Sequence, residues 1–519
     1  MMMKPFAVAR AAALVAILAA APSARADAPD GSQAPFARVG AAQPAAIELS
    51  RTTGRMPDGS RVEMLGLSYY VAVNDAWGVG VSGYGADGGH FGGLINWGVS
   101  VQRRWRLGPH SHVAAGLYAG AGGGRGGGAV NYGGGLMLRP ELSIRTELDS
   151  GVYTGIGVAE LLYPSGNVRG RPSLTLVIGR STNFAAFAPT DEGRTGHTGG
   201  RTGIGVDEVM LFAGVYAPRA SSRDLSGQPL GHKPVLGADL RQYIAEGSWW
   251  GVDAAAAGGG AAGYMDVIAK LGQDWPLFTP RLRLGGELGA GVGGGGGVNT
   301  GDGLLLRAGP TLRWIGPGGV SLHLGAGFMK APSGQFSTAY ARAGLSVPLD
   351  HVFDYTGQAN SDEGEVRRQQ IFAGFEHLPT MRRKDGTKIE ASDLMIVVTR
   401  DLTDSVYGVA QAGSGAFGGA GGYSIALLGL GLQSPRLGAF GLPRLRVGAE
   451  LLGGAAGGGS VDVGRGAVGQ GEAWAQWSLG ERLQLRTGLG QWRVLRGENK
   501  TTSTMFSVML GYAYGTLEQ

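Results

Sequence analysis

The chain has 519 residues and a net charge of +5, with 99 Gly, 23 Pro, no Cys, 43% hydrophobic and 16% charged side chains. Glycine at this density excludes long helices, because each Gly inside a helix costs about 1 kcal/mol relative to Ala, and Gly is not placed at every third position as collagen requires. The hydrophobic content, with Trp and Tyr spread along the whole chain, excludes disorder, and the lack of Cys excludes disulfides and thiolate metal sites.

The first 26 residues read as a leader. Lys4 and Arg10 make a positive start, residues 11–21 are apolar, and Ala24-Arg25-Ala26 has the small-x-small form that a signal peptidase cleaves. The apolar run is too short for a membrane span. Cleavage removes Lys4, Arg10 and Arg25 and lowers the net charge from +5 to +2, so the basic balance points to no nucleic-acid partner. No later stretch is long and apolar enough for a membrane helix, so the chain can enter a bilayer only as a closed barrel.

After a short extension (27–44) the chain repeats itself. Leu282-Arg283-Leu284-Gly285-Gly286-Glu287-Leu288 matches Leu445-Arg446-Val447-Gly448-Ala449-Glu450-Leu451, and each is followed by a Gly run. Val298-Asn299-Thr300-Gly301 and Val461-Asp462-Val463-Gly464 then correspond. A looser first copy has Ala115-Gly116-Leu117-Tyr118, a Gly run and Val130-Asn131-Tyr132-Gly133; Gly166, Gly334 and Gly497 correspond further on. Upstream, Trp77-Gly78-Val79, Trp250-Gly251-Val252 and Tyr407-Gly408-Val409 take equivalent places. These matches divide the chain into β units at 45–184, 206–350 and 369–519, joined by polar linkers or loops at 185–205 and 351–368. Units this long are multi-strand modules or sectors of one barrel, not solenoid repeats.

Within each unit the period is two. Leu282, Leu284, Gly286, Leu288, Ala290 and Val292 face one way, and Arg281, Arg283, Gly285, Glu287, Gly289 and Gly291 the other. Leu445, Val447, Ala449 and Leu451 oppose Arg444, Arg446, Gly448 and Glu450; Leu483, Leu485 and Leu489 oppose Gln484, Arg486 and Gly488. Alternation over about ten residues is the pattern of a membrane strand, apolar toward lipid and polar or small toward the interior. A soluble sandwich also alternates, but the leader implies export, and Trp97, Trp105, Trp249, Trp250, Trp275, Trp314 and Trp492 lie where interfacial girdles would be.

In this pattern the chain resembles the outer-membrane β-barrel class of Gram-negative bacteria, though no specific family within it. The resemblance implies localisation in the cell outer membrane, contact with outer-membrane lipid, and insertion by the outer-membrane assembly machinery. Class members usually end in an alternating aromatic strand, and Phe506, Val508, Leu510, Tyr512 and Tyr514 look similar; the chain departs by continuing through Gly515-Thr516-Leu517-Glu518-Gln519.

At about 20 residues per strand and turn, each unit holds about eight strands and the three together about 24. Two all-β architectures follow: one wide transmembrane antiparallel barrel, or three eight-stranded barrels in tandem. A small barrel needs bulky side chains inside, which Gly285, Gly289, Gly291, Gly448 and Gly453 do not supply, so the wide barrel is preferred.

Chemistry-bearing motifs are scarce. G-x-G-x-x-G windows occur within 120–128 but open no helix, His110-Ser111-His112 follows Pro109 in a turn, and His323 has no defined Ser partner. No enzyme activity, cofactor or metal site is expected. Function therefore lies in a hole or a surface. As a pore or export channel for solutes or a polymer, the protein would be lined by Arg283, Glu287, Arg307, Arg313, Arg446, Glu450 and Arg486, whose Arg excess favours anions. The alternative is a structural or adhesive surface protein without a conducting pore.

Overall fold

A computed structural model of the chain describes residues 36–124, 130–316, 319–349, 363–437, 444–498 and 500–518. The leader expected at 1–26 lies outside the described residues, as do most of the 351–368 joint and Gln519. Of the two architectures, the chain forms the tandem one: its strands close into three separate eight-stranded barrels, and the preferred single wide barrel is not made.

The first barrel consists of β2 (Gln43–Arg55), β3 (Arg61–Ala72), β4 (Trp77–Gly88), β5 (Ile95–Arg106), β6 (Ser111–Gly123), β7 (Leu136–Glu147), β8 (Val152–Ala159) and β9 (Ser173–Phe184). The second consists of β11 (Glu208–Pro218), β12 (Lys233–Ala245), β13 (Ser248–Ala257), β14 (Met265–Leu277), β15 (Thr279–Gly294), β16 (Leu304–Ile315), β17 (Ser321–Lys330) and β18 (Ser337–Pro348). The third consists of β19 (Glu363–Arg382), β20 (Lys388–Asp401), β21 (Val406–Gly418), β22 (Tyr423–Gln433), β23 (Leu445–Gly458), β24 (Ala467–Ser478), β25 (Leu483–Val494) and β26 (Thr502–Glu518). Each barrel closes by antiparallel pairing of its first and last strands: Leu49 opposite Ile178, Leu211 opposite Leu345, and Phe372 opposite Gly511. Two short strands, β1 (Ala37–Arg38) and β10 (Thr195–His197), extend the third barrel's sheet beside β19. β19 thus begins inside the stretch read as the 351–368 linker, because β10 and the tail of β26 give Glu363 to Arg368 backbone partners.

The wide-barrel preference fails because the inward glycines leave no void. A Cβ added at Gly285 would lie 2.1 Å from the Asp274 carboxylate, one at Gly289 2.6 Å from Ile268, and one at Gly448 2.3 Å from the Trp474 ring. Large neighbours fill the space that each glycine gives up, while Gly453 faces outward into open space. Small and large residues alternate across facing strands, the arrangement that packs a narrow barrel.

All three barrels point the same way. Chain entry, chain exit and the short turns 73–76, 246–247 and 402–405 lie at one end, and the loops 160–172, 219–232 and 459–466 at the other. At the loop end the repeat's Asn or Asp builds an Asx turn. The side-chain oxygens of Asn131, Asn299 and Asp462 accept from the backbone N–H of Gly133, Gly301 and Gly464 at 2.8, 3.3 and 3.0 Å. These glycines sit at φ +60°, +59° and +59°, a left-handed conformation that the turn demands.

The loop ends also join the barrels. In each junction the connection between a barrel's third and fourth strands meets the connection between the next barrel's fifth and sixth. Gly92 donates to the Gly301 carbonyl at 2.9 Å, joining the first barrel to the second. Gly263 lies against Gly457 and Gly458, joining the second to the third, and Gly415 and Gly421 lie against Gly135 and Gly133, joining the third to the first. This head-to-tail order closes on itself after three steps, the rule of a cyclic trimer written into one chain. Near the chain ends the first and third barrels touch again, with Phe184 edge-on to Tyr514 at 5.2 Å and Tyr512 at 6.4 Å.

Candidate functional site

The sign of each strand face decides where the barrels can live. On β15, Leu284 and Leu288 point outward and are 45% and 69% exposed, while Arg283 and Glu287 are buried inside. On β23, Val447 and Leu451 are outward and Glu450 is inward. The same inversion holds for Leu142 and Ile144 against Ser143 and Arg145 on β7, and for Leu489 against Arg486 on β25. Apolar side chains outside and charges inside reverse a water-soluble fold, and an apolar belt this extensive needs a nonpolar surrounding. Exposed Trp77, Trp105, Trp275 and Trp314 sit near the strand ends of the short-turn side, as a girdle would. Trp249 and Trp492, expected in that girdle, are instead fully buried inside their barrels. Trp249 stacks under Arg241, whose guanidinium carbon is 4.1 Å from the ring centroid.

Leu451, 74% exposed on the outer face, gives a direct check of the belt. Leu451→Arg is expected to lower the stability of the protein folded in lipid vesicles by about 2 kcal/mol, measured by denaturant titration. A change within about 0.5 kcal/mol, as for ordinary wet surface sites, would place that face in water.

The interiors hold ion-pair networks. In the second barrel, the Lys270 ammonium contacts Asp239 (2.5 Å), Asp253 (3.0 Å) and Glu287 (3.4 Å). Arg342 bridges Asp253 (2.8 Å) and Glu287 (2.6 Å), and Arg307 also pairs with Asp253. Nearer the short-turn end, Arg313 pairs with Glu208 at 3.1 Å. In the first barrel, Arg145 pairs with Glu48, and Glu141 bridges Arg139 (2.6 Å) and Arg145 (3.1 Å). In the third, Arg486 lies 2.6 Å from Glu450 and 3.5 Å from Glu472, with Tyr407 donating to Glu450 at 2.8 Å and the Trp474 indole donating to Tyr407 at 2.7 Å. Toward the loop end the third interior holds an apolar cluster of Leu378, Met381, Met395, Val468, Trp492 and Met505 together with buried Glu376, Asp393 and Gln470, whose amide donates to Glu376 at 3.0 Å. The ion-paired side chains link separate strands across the interior of each barrel.

The residues expected to line one pore are therefore divided. Arg283, Glu287, Arg307 and Arg313 belong to the second barrel, Arg446, Glu450 and Arg486 to the third, and none to the first. Within the second, Glu287 and Arg307 join one network, whereas Arg283 donates to the Asp274 carbonyl at 3.1 Å. Arg446 stands at the short-turn mouth of the third barrel, apart from the deeper Glu450–Arg486 pair. Reading the sequence for Arg-rich strands missed Lys270, Asp239, Asp253 and Arg342, although the period was there: Val235, Asp239, Arg241 and Tyr243 alternate with Leu236, Leu240 and Ile244 on β12.

The structure also supplies the partner His323 lacked. Its Nε2 lies 2.8 Å from Glu208 and 2.9 Å from the Ser346 hydroxyl, with Nδ1 facing Arg241 at 3.4 Å. A serine hydrolase needs its Ser and its acid on opposite ring nitrogens. Here both crowd the same nitrogen in a buried site, so the trio is a node of the interior network.

No protein-family model matches the chain, and no curated protein matches it. Among solved structures the chain is similar to Gram-negative outer-membrane β-barrel proteins. OccK2 (OpdF) of Pseudomonas aeruginosa, in complex with glucuronate, aligns over 92% of this chain and 99% of its own at 11% identity and a TM-score of 0.23. A BenF-like porin from Pseudomonas fluorescens Pf-5 aligns over 92% and 99% at 10% identity and 0.22, and the siderophore receptor PirA from Pseudomonas aeruginosa over 93% and 81% at 10% identity and 0.25. TM-scores this low give no common global arrangement, and the chain's own geometry carries its interpretation.

Proposed function

We propose that the chain is an outer-membrane β-barrel protein that passes ions or small solutes through the interiors of its individual barrels, each held shut by its ion-pair layer. The observation that carries this reading is the inversion of the strand faces: an apolar belt outside, and interiors lined by charges such as Lys270, Arg307, Asp253 and Glu287. Three parallel barrels with their termini and short turns at one end fit a single orientation in a bilayer, with that end toward the periplasm. Export through the leader at 1–26 and insertion by the assembly machinery belong to the same reading. Selectivity would then be set separately, by Glu287, Arg307 and Arg313 in the second barrel and by Arg446, Glu450 and Arg486 in the third.

The test is planar-bilayer recording of the purified full chain. Wild-type protein is expected to show rare, small conductance steps, because ion pairs link strands across the barrel interiors. Arg307→Ala with Glu287→Ala, which removes paired charges from one layer, is expected to raise open time and conductance. A folded, heat-modifiable protein that stays silent in both forms would leave three structural barrels and end the solute reading.

A further inference from the structure

The short-turn mouth of the third barrel is occupied by a segment from elsewhere in the chain. After the first barrel, Phe187 exchanges two backbone hydrogen bonds with Gly515 of β26, both at 3.0 Å. The short 3-10 turn Pro189–Asp191 follows, with Pro189 buried against the mouth. This seating delivers the Glu192 carboxylate to Arg368 at 3.4 Å and Arg446 at 3.7 Å. Arg436 lines the same cavity, whose walls carry the amides of Gln370, Gln476 and Gln484.

The charges do not balance. Arg368 is matched by Asp401 at 2.6 Å and donates to Gln433 at 2.9 Å, whereas Glu192, which also shares a hydrogen bond with Asp401, is the one carboxylate within 4 Å of Arg446 among the described residues. Burial pushes the Glu192 carboxyl up, but its hydrogen bond with Asp401 and the adjoining guanidiniums outweigh this and hold it below the ordinary glutamate range. Its distances exceed the roughly 2.7–2.9 Å of a well-made guanidinium–carboxylate hydrogen bond. Among the described residues, the Nε atoms of Arg368 and Arg446 have no hydrogen-bond partner. Guanidinium presents its donors as a fork that a planar carboxylate fills two at a time, and Glu192, fixed by its short tether, fills neither fork.

We infer that the mouth of the third barrel is a binding site for small carboxylates, built from Arg368, Arg446 and Arg436, in which Glu192 sits as a tethered and displaceable occupant. A free carboxylate engages the guanidiniums bidentately once Glu192 swings out, and the connector between the first two barrels thereby becomes a stopper that a solute can lift. The site faces the short-turn side whether or not the barrel conducts.

Succinate is a suitable probe, measured by titration calorimetry on the full chain in detergent at low salt. Removing the internal competitor raises the fraction of binding-competent protein, so Glu192→Ala is expected to bind succinate roughly tenfold more tightly than wild type. Glu192→Gln, which keeps the side chain's size, is expected to show the same direction of change. Adding Arg446→Ala to Glu192→Ala is expected to abolish binding, with a heat-modifiability gel confirming that every variant is folded. Equal affinity in wild type and both Glu192 variants, or undiminished binding in the Arg446 double variant, overturns the assignment.

Discussion

Asp253→Asn is expected to destabilise the second barrel by about 3–5 kcal/mol, the cost of removing one partner from a buried ion network. Asp253 is fully buried and receives Lys270, Arg307 and Arg342 at once. Neutralising it leaves three buried cations facing Glu287 and Asp239. The loss should appear as a lower denaturant midpoint of the full chain in lipid vesicles, read by fluorescence of Trp249 and Trp250 on β13, the strand that carries Asp253. A compensating change makes the test specific. Arg307→Gln restores the charge balance in the Asp253→Asn background, so the double variant should cost well under the sum of the two single variants. Strict additivity, or a single-variant cost below about 0.5 kcal/mol, would mean that the layer is hydrated and that Asp253 does not organise it.

That layer also shows what the sequence could and could not disclose. The alternation of Leu284 and Leu288 with Arg283 and Glu287 was legible because the period of a strand is local: each residue's face follows from its neighbours two positions away. The structure puts those leucines outside and those charges inside, as the alternation implied. Closure was not legible. Whether β18 returns to β11 or continues to β19 depends on a pairing such as Leu211 with Leu345, residues far apart in the chain whose local patterns suit either partner. The glycines then misled, since Gly285 read alone suggests a hollow, and only the fold reveals that Asp274 fills it. The ion networks were half visible for the same reason. Arg307 and Glu287 stand out on Gly-rich strands, but their shared partners Asp253 and Arg342 come from β13 and β18, brought next to them only by barrel closure. Glu192 was hidden more completely, as one acid in a polar joint whose role depends on which barrel the joint folds against.

Gly457→Val is expected to open the junction between the second and third barrels, at a cost of about 3 kcal/mol, the upper part of the range for overpacking a close contact. A Cβ at Gly457 would lie 2.1 Å from the Gly263 nitrogen and 2.5 Å from the Ala262 carbonyl carbon, both of them backbone of the neighbouring barrel. Gly457 has no left-handed φ, so its own strand accepts a side chain and the clash falls on the contact between barrels. Gly134→Val acts likewise on the junction between the first and third barrels, where its Cβ would meet the Ala416 carbonyl at 2.6 Å and Phe417 Cα at 2.7 Å. Because the three junctions form a closed ring, one broken contact leaves the barrels held by the other two, whereas two broken contacts release the third barrel's loop end. The effects should therefore be cooperative in the distance between barrels while the barrels themselves stay folded. The chain has no Cys, so spin labels placed by Ser226→Cys and Asp385→Cys, at exposed loop-end positions of the second and third barrels, report that distance directly. A narrow distribution in wild type, slightly broadened in Gly457→Val and widely broadened in the double variant, is the expected series. Three identical distributions would mean that the glycine junctions merely touch, and that the membrane or the connectors near the chain ends hold the barrels together.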